Sequence, residues 1–133
     1  MKYLLDTNVC IDAMRGRSEV VSRLRSMSPD DCAISTVSLF ELRSGALMSA
    51  RPLEDGRKVL MFTETLVLLP WDSEAARYAA GVRRNLESLG LRIGACDTLL
   101  AGHALALGIP IVTDNVREFG RVTGLKVENW RSR

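Results

Sequence analysis

Histidine, cysteine and aromatic side chains are scarce in this sequence. A single histidine, His103, and three cysteines, Cys10, Cys32 and Cys96, in 133 residues leave too few soft donors for a zinc site, and no CxxC pair occurs. The cysteines are odd in number, widely separated and set in apolar stretches. That excludes a disulfide framework and marks them as small buried thiols. Aromatic residues make up 5% of the chain, so there is little with which to stack single-stranded bases. The N-terminal apolar run is broken at Asp6, too early for the core of a signal peptide or a membrane span, and a cytoplasmic location is expected. Charge of one sign is also lacking: a net charge of +2 excludes a polycation bound to nucleic acid by bulk attraction. What is present, 47% hydrophobic and 26% charged residues, is the composition of a soluble globule. One domain spanning residues 1–133 is expected, large enough to bury a core, with no repeat, linker or low-complexity segment to divide it.

Apolar runs that stop at small polar residues set the expected order of elements. Tyr3-Leu4-Leu5 reads as a strand ending on Asp6-Thr7-Asn8, followed by a short helix from Val9 to Met14 that Gly16 stops and a second helix capped by Ser18. Ser28-Pro29-Asp30-Asp31 is a turn, Cys32 to Ser35 a strand, and Ser35 or Thr36 opens a helix to about Ser49. A helix from Pro52 to near Thr65 precedes a strand at Leu66 to Leu69. Asp72 and Ser73 cap a long amphipathic helix carrying Ala75, Tyr78, Ala79, Val82, Leu86 and Leu89 inward, with Gly90 as its stop. The run from Thr98 to Leu107 is apolar on nearly every side and should be the buried helix, with Asp97 at its entrance and His103 packed or hydrogen-bonded inside. Ile109 to Val112 is a further strand, ending on Thr113-Asp114-Asn115. Val116 to Phe119 is a helical turn, Leu125 to Glu128 an edge strand, and Trp130 covers the sheet. Strands alternating with helices predict an α/β fold.

Four acids stand where such a fold gathers ligands. Asp6 and Asp114 follow strands, Asp97 opens the buried helix, and Glu41 lies among Leu39, Leu42 and Ala46 on a helix, where an unpaired charge is costly. In an open parallel sheet the strand ends share one edge, so these carboxylates can converge. Each has a local alternative: Asp6, Asp97 and Asp114 as helix caps, and Glu41 as the second half of a capping box with Ser38. Carboxylates about 5 Å apart repel by roughly 3 kcal/mol at an effective dielectric of 20, so a converged set requires a cation. Hard oxygen donors without imidazole or thiolate favour Mg²⁺, with Mn²⁺ as its substitute, and suit phosphodiester hydrolysis. Asn8 and Thr113 are placed to orient waters or a phosphate. The arginines cluster at Arg15, Arg17, Arg23 and Arg25, at Arg83, Arg84 and Arg92, and at Arg131 and Arg133. Of these, Arg15, Arg17, Arg83, Arg84 and Arg92 are candidate RNA phosphate contacts.

Asp6-Thr7-Asn8, Ser38 to Glu41 with Gly45, Gly94-x-x-Asp97 running to His103, and Thr113-Asp114-Asn115 with Glu118-Phe119 together resemble the PIN-domain nucleases, and among them the VapC toxins of bacterial toxin–antitoxin pairs. The likeness runs from Met1 to about Trp130. It implies a three-layer α/β/α sandwich with a mainly parallel sheet, in which Asp6, Glu41, Asp97 and Asp114 form the Mg²⁺ site of an endoribonuclease, supported by Asn115. It further implies structured RNA, often transfer RNA, as substrate, a homodimer, and inhibition by a cognate antitoxin whose C-terminal segment wraps the toxin. DNA would be reached only through that antitoxin. The fourth acidic position is the least regular in the family, with Asn common there, and Glu118 is a nearby substitute for Asp114. The competing reading, a Mg²⁺-dependent phosphatase or receiver domain, needs a nucleophilic Asp beside a lysine, and Lys2, Lys58 and Lys126 all lie outside the polar strand-end motifs. A binding module whose acids are only caps is the third reading, and absence of any Mg²⁺ or Mn²⁺ affinity would favour it.

Overall fold

The computed structural model describes residues 1–131; Arg133, grouped above with Arg131, lies outside the described residues. In chain order the elements are β1 (Tyr3–Leu5), α1 (Thr7–Met14), α2 (Ser18–Arg25), a 3-10 turn at Pro29–Asp31, β2 (Cys32–Ser35), α3 (Thr36–Leu47), α4 (Pro52–Thr63), β3 (Val67–Leu69), α5 (Ser73–Ser88), α6 (Ala95–Leu107), β4 (Ile111–Val112), α7 (Val116–Phe119) and β5 (Val127–Glu128). The described strands form one five-stranded sheet in the order β3-β2-β1-β4-β5, and every pairing is parallel.

Side chains alternate across a strand, and here that alternation sorts the core into two halves. Leu5, Ile34 and Val112 face a cluster with Val9, Cys10, Val20, Leu42, Ala46 and Val59 from α1–α4. Leu4, Ala33 and Ile111 face the other way, onto Val82, Leu86, Leu100, Ala101 and Ala104 of α5 and α6 and onto Phe119 of α7. The sheet is therefore the middle layer of the expected sandwich. The buried helix α6 packs so closely on α5 that a Cβ on Gly102 would overlap the backbone of Ala79. It ends on Gly108, whose left-handed φ of 69° closes the C-terminus.

Several boundaries differ from expectation for local reasons. Helix α1 starts at Thr7 because Asp6 itself is the N-cap, accepting from the Thr7 amide. Ser18 is the first residue of α2 and Arg17 its cap position, without a side-chain bond. Helix α3 ends at Leu47 with Met48 as cap. Ile109 belongs to the end of α6, its amide bonded to Ala104 O at 3.2 Å, and Pro110 has no N–H to give a ladder, so β4 begins at Ile111. The strands predicted from Leu66 and Leu125 begin at Val67 and Val127. Trp130 is buried at 2% exposure and meets Tyr3 edge-on at 5.5 Å, as expected for a residue covering the sheet. His103 is buried, with Nδ1 2.9 Å from Ser35 Oγ. Cys10 and Cys32 are buried, whereas Cys96 is only half-buried.

Candidate active site

The strand order reverses at β1: the chain leaves it toward β2 and β3 on one side and returns to β4 and β5 on the other. Crevices at such switch points, beyond the carboxyl ends of the strands, are where open α/β sheets bind ligands. Asp6 follows β1 and Thr113 follows β4, and the two strands are register-paired through Leu5 and Val112. The Asp6 amide donates to Val112 O at 2.9 Å. The first acid is thus fixed at the crevice by the sheet itself.

Asp6 is 3% exposed. Its Oδ1 accepts from the Thr7 amide at 2.8 Å and its Oδ2 from Thr113 Oγ1 at 2.7 Å. Burial raises its pKa, the bonds from Thr113 and Thr7 oppose that rise, and the negative charges of Glu41 and Asp114 add to it. Asp6 is therefore both the cap that local reasoning allowed and a member of an acidic group. Glu41 reaches the same place from α3: Thr7 Oγ1 donates to its Oε1 at 2.5 Å and stands 3.1 Å from the Oγ of buried Ser38. The capping box with Ser38 does not form, because Ser35 is the cap of α3, accepting from Val37 N. Asp97 stands in the first turn of α6. Its pKa is pushed up to about 7, first by burial and then by Asp6, by a hydrogen bond and charge shared with Glu118, and by Glu41. Asn115 Nδ2 lies 3.0 Å from Glu118 Oε2 and 3.5 Å from Asp97 Oδ2.

The structure brings Asp6, Glu41 and Asp97 into one electrostatic group and adds Glu118 to it. Asp114 adjoins Asp6 but is also tied elsewhere: Arg131 Nη1 donates to its Oδ2 at 2.6 Å, while Oδ1 is buried with no partner among the described residues. It does not cap α7, whose cap position is Asn115 without a side-chain bond. Asn8, expected to orient waters or a phosphate, is exposed on α1, and the hydroxyl that meets Glu41 is that of its neighbour Thr7. Thr113 gives its hydroxyl to Asp6, and Asn115 lies between Asp97 and Glu118. Among the described residues no three His, Cys, Asp or Glu side chains form a ready-made cation cluster. Carboxylates grouped this loosely suit an ion that keeps several of its waters, and their all-oxygen chemistry fits Mg²⁺ or Mn²⁺.

Of the candidate RNA contacts, Arg15 lies in a groove with one of these acids, and the others lie elsewhere. Arg15 lines a groove of about 340 Å³ with Glu41, Gly45 and Lys58. Arg17 is 3.8 Å from Glu19. Arg83 and Arg84 line a cleft of about 420 Å³ with Trp71 and Thr98, and Arg83 and Arg92 a second of about 260 Å³ that also includes Thr98. Thr98 adjoins Asp97. Lys2 is 3.9 Å from Asp31, and Lys58, although it lines the groove with Glu41, pairs with Glu54 and Asp55. Among the described residues no lysine is ion-paired with Asp6, Asp97 or Asp114, the arrangement a phosphoryl-transfer aspartate would need. Sequence reasoning missed Thr7, Ser38, Asp12 and the role of Arg131. The hydroxyls had a signal in their places beside Asp6 and one turn before Glu41. The pairing of Asp12 with Arg131 spans 119 residues and had none.

A PIN domain model matches residues 3–125. The chain therefore belongs to the PIN-domain family. Within it, the chain is 34% identical over 130 residues to the tRNA(fMet)-specific endonuclease VapC of Salmonella typhimurium, covering 98% of each protein. Among solved structures it resembles DNA-bound VapBC from the same organism with a TM-score of 0.93 at 34% identity, covering 98% of each chain. It also resembles VapBC2 of Rickettsia felis bound to a promoter DNA fragment, with a TM-score of 0.91 at 32% identity and coverage of 98% and 99%. Those likenesses set the chain among the VapC ribonucleases.

Proposed function

We propose that this chain is a divalent-metal-dependent endoribonuclease, the toxin of a toxin–antitoxin pair, with Asp6, Glu41 and Asp97 as the residues that hold Mg²⁺ and a carboxylate that follows β4, Asp114 of the loop or Glu118 of α7, at its border. The observation that carries this is the gathering of acids at the β1/β4 switch point, where burial first and then mutual repulsion push Asp97 to about 7. A bound divalent ion supplies charge stabilisation for the phosphate and a water of lowered pKa. The chain's own residues prepare the place. Thr113 and the Thr7 amide fix both oxygens of Asp6, Thr7 fixes Glu41, and Asn115 spans Asp97 and Glu118. All are neutral donors, so they orient the carboxylates without cancelling the charge that attracts the ion.

The VapC and VapBC likenesses support RNA as substrate and a VapB-like antitoxin as partner, with transfer RNA the leading class. Exposed Leu47 and Met48 at the end of α3 and Leu53 and Met61 on α4 offer apolar surface for an antitoxin segment or a second copy of the chain. No helix among the described residues is long and apolar enough to cross a membrane. Arg15, Arg83, Arg84 and Arg92 are proposed to hold RNA phosphates. Asp6→Ala and Asp97→Ala should each abolish RNA cleavage in vitro and growth arrest on expression, with circular dichroism unchanged. Full activity in either variant would overturn the reading.

A further inference from the structure

The C-terminal segment returns to the acidic edge and brings a cation with it. After β5, Trp130 is buried, its indole N–H donating to Glu128 Oε1 at 3.1 Å and its ring lying 5.1 Å beneath the Arg23 guanidinium. The Arg131 amide donates to Asn129 Oδ1 at 3.0 Å, turning the chain. Arg131 then grips Asp12 of α1 with two bonds, Nε to Oδ2 at 2.7 Å and Nη2 to Oδ1 at 2.8 Å, and gives Nη1 to Asp114 at 2.6 Å. The Asp12 side chain is 11% exposed and that of Asp114 25%. A bidentate guanidinium–carboxylate pair fixes both partners, so Arg131 is held at this place by Asp12 independently of Asp114. Of the acids at the crevice, Asp114 is the one held by a cation.

We infer that Arg131 is a resident counter-cation that takes up the charge of Asp114 and thereby sets the ion affinity of the site, competing with a divalent ion for the fourth acid. This rests on the metal-dependent reading above. Arg131 steadies the ion-free protein by neutralising one of several crowded carboxylates, and it weakens ion binding by the same charge. Removing the positive charge that touches Asp114 would, at an effective dielectric near 20 and with screening, be worth on the order of tenfold in affinity for a divalent ion held by the neighbouring acids.

The test is Mn²⁺ titration calorimetry on the full-length protein, with thermal melts in EDTA. Arg131→Gln should bind Mn²⁺ about tenfold more tightly and melt lower in EDTA, while Arg131→Lys, which keeps the charge, stays within about threefold of the wild type. The double variant Arg131→Gln/Asp114→Asn should return to within about threefold of the wild type, because the two charges removed offset each other, whereas Asp97→Asn should weaken binding at least tenfold. Unchanged or weaker binding by Arg131→Gln overturns the inference; if Arg131→Gln does not fold, the double variant should bind about tenfold more tightly than Asp114→Asn, and equal binding by those two overturns it as well. If the wild type binds no Mn²⁺, or Asp6→Ala binds as well as the wild type, the metal-dependent reading itself fails. If those controls behave and Arg131→Gln does not bind more tightly, only the role given to Arg131 falls.

Discussion

Asp97→Asn should make the metal-free protein more stable above neutral pH while destroying the site. In the folded chain the Asp97 carboxyl is raised from 3.8 to about 7, with burial the largest cause and the charges of Asp6, Glu118 and Glu41 after it. An acid whose pKa is higher folded than unfolded binds more protons in the folded state between those two values. Stability therefore falls as pH rises from about 4 to 7, and the full penalty is present above the folded value. A shift of about three units corresponds to roughly 4 kcal/mol. Asp97 is only half-buried, and screening by solvent reduces this to about 2 kcal/mol. The favourable place of a carboxylate in the first turn of α6 returns about 0.5 kcal/mol. The neutral amide should thus gain about 1–2 kcal/mol at pH 8, a rise in melting temperature of roughly 3–8 °C for a chain of this size.

The assay is urea or thermal unfolding of wild type and Asp97→Asn in EDTA, at intervals from pH 4.5 to 8.5. The gap between the two should open through the window from about 4 to 7 and stay constant above it. His103, whose pKa burial lowers, contributes the opposite slope, losing stability as pH falls through its ordinary value of 6.5. That contribution is common to both proteins and cancels in the difference. With saturating Mn²⁺ the order should reverse, because an ion that binds the folded state stabilises the wild type by mass action. Equal stability at every pH, or an Asp97→Asn protein that is the weaker of the two in EDTA at pH 8, would refute the argument that crowded carboxylates raise Asp97.

Thr113→Val keeps the shape of a fully buried side chain but removes the donor 2.7 Å from Asp6 Oδ2. It should cost about 1–3 kcal/mol in urea unfolding at pH 7 and lower cleavage sharply. Gly102→Ala would drive a methyl into the backbone of Ala79 and should destabilise by about 1–3 kcal/mol or more through overpacking of α6 on α5. Arg83→Ala and Arg92→Ala should each weaken binding of a non-cleaved RNA and reduce the slope of log Kd against log salt by about one, while leaving Mn²⁺ affinity within about twofold.

The layers of the fold and three of its four expected acids could be read from the chain because each rested on local pattern. Apolar runs ending on Asp or Thr located β1 and β4, and the apolar character of α6 on every side forecast its burial. Strand ends were read too long where the deciding fact was pairing. Ile109 was written as strand, yet its amide is claimed by α6, a competition between two elements that no short window contains. Asn8 and Thr7 stand in the same turn, so the sequence by itself does not tell which of them meets the acids. The direction of α1 decides between them, turning Thr7 toward Ser38 and Glu41 and leaving Asn8 outside. Nothing local marks Arg131, because its partners lie 119 and 17 residues away, and only the return of β5 beside β4 brings them together.

The donors around the acids differ in a way that follows from what the site must do. A hydroxyl or amide that bonds a carboxylate orders it and offsets part of its desolvation but leaves its charge intact, whereas an arginine orders it and cancels the charge. Asp6 and Glu41 are ordered by Thr7 and Thr113, and Asn115 faces Asp97 and Glu118. Had arginines performed those bonds, the acids would be comfortable in the ion-free protein and nearly useless for attracting a divalent cation. The neutral donors keep the group charged at the cost of stability, which is why burial and repulsion show in the raised values of Asp6 and Asp97. Asp114 departs from this rule, and it departs at the side where the C-terminal segment packs. Asp114 still adds to the repulsion on Asp6, and its pairing with Arg131 sets a positive charge against that side of the group. A site organised this way can stay folded before its ion arrives and still present enough negative charge to bind it.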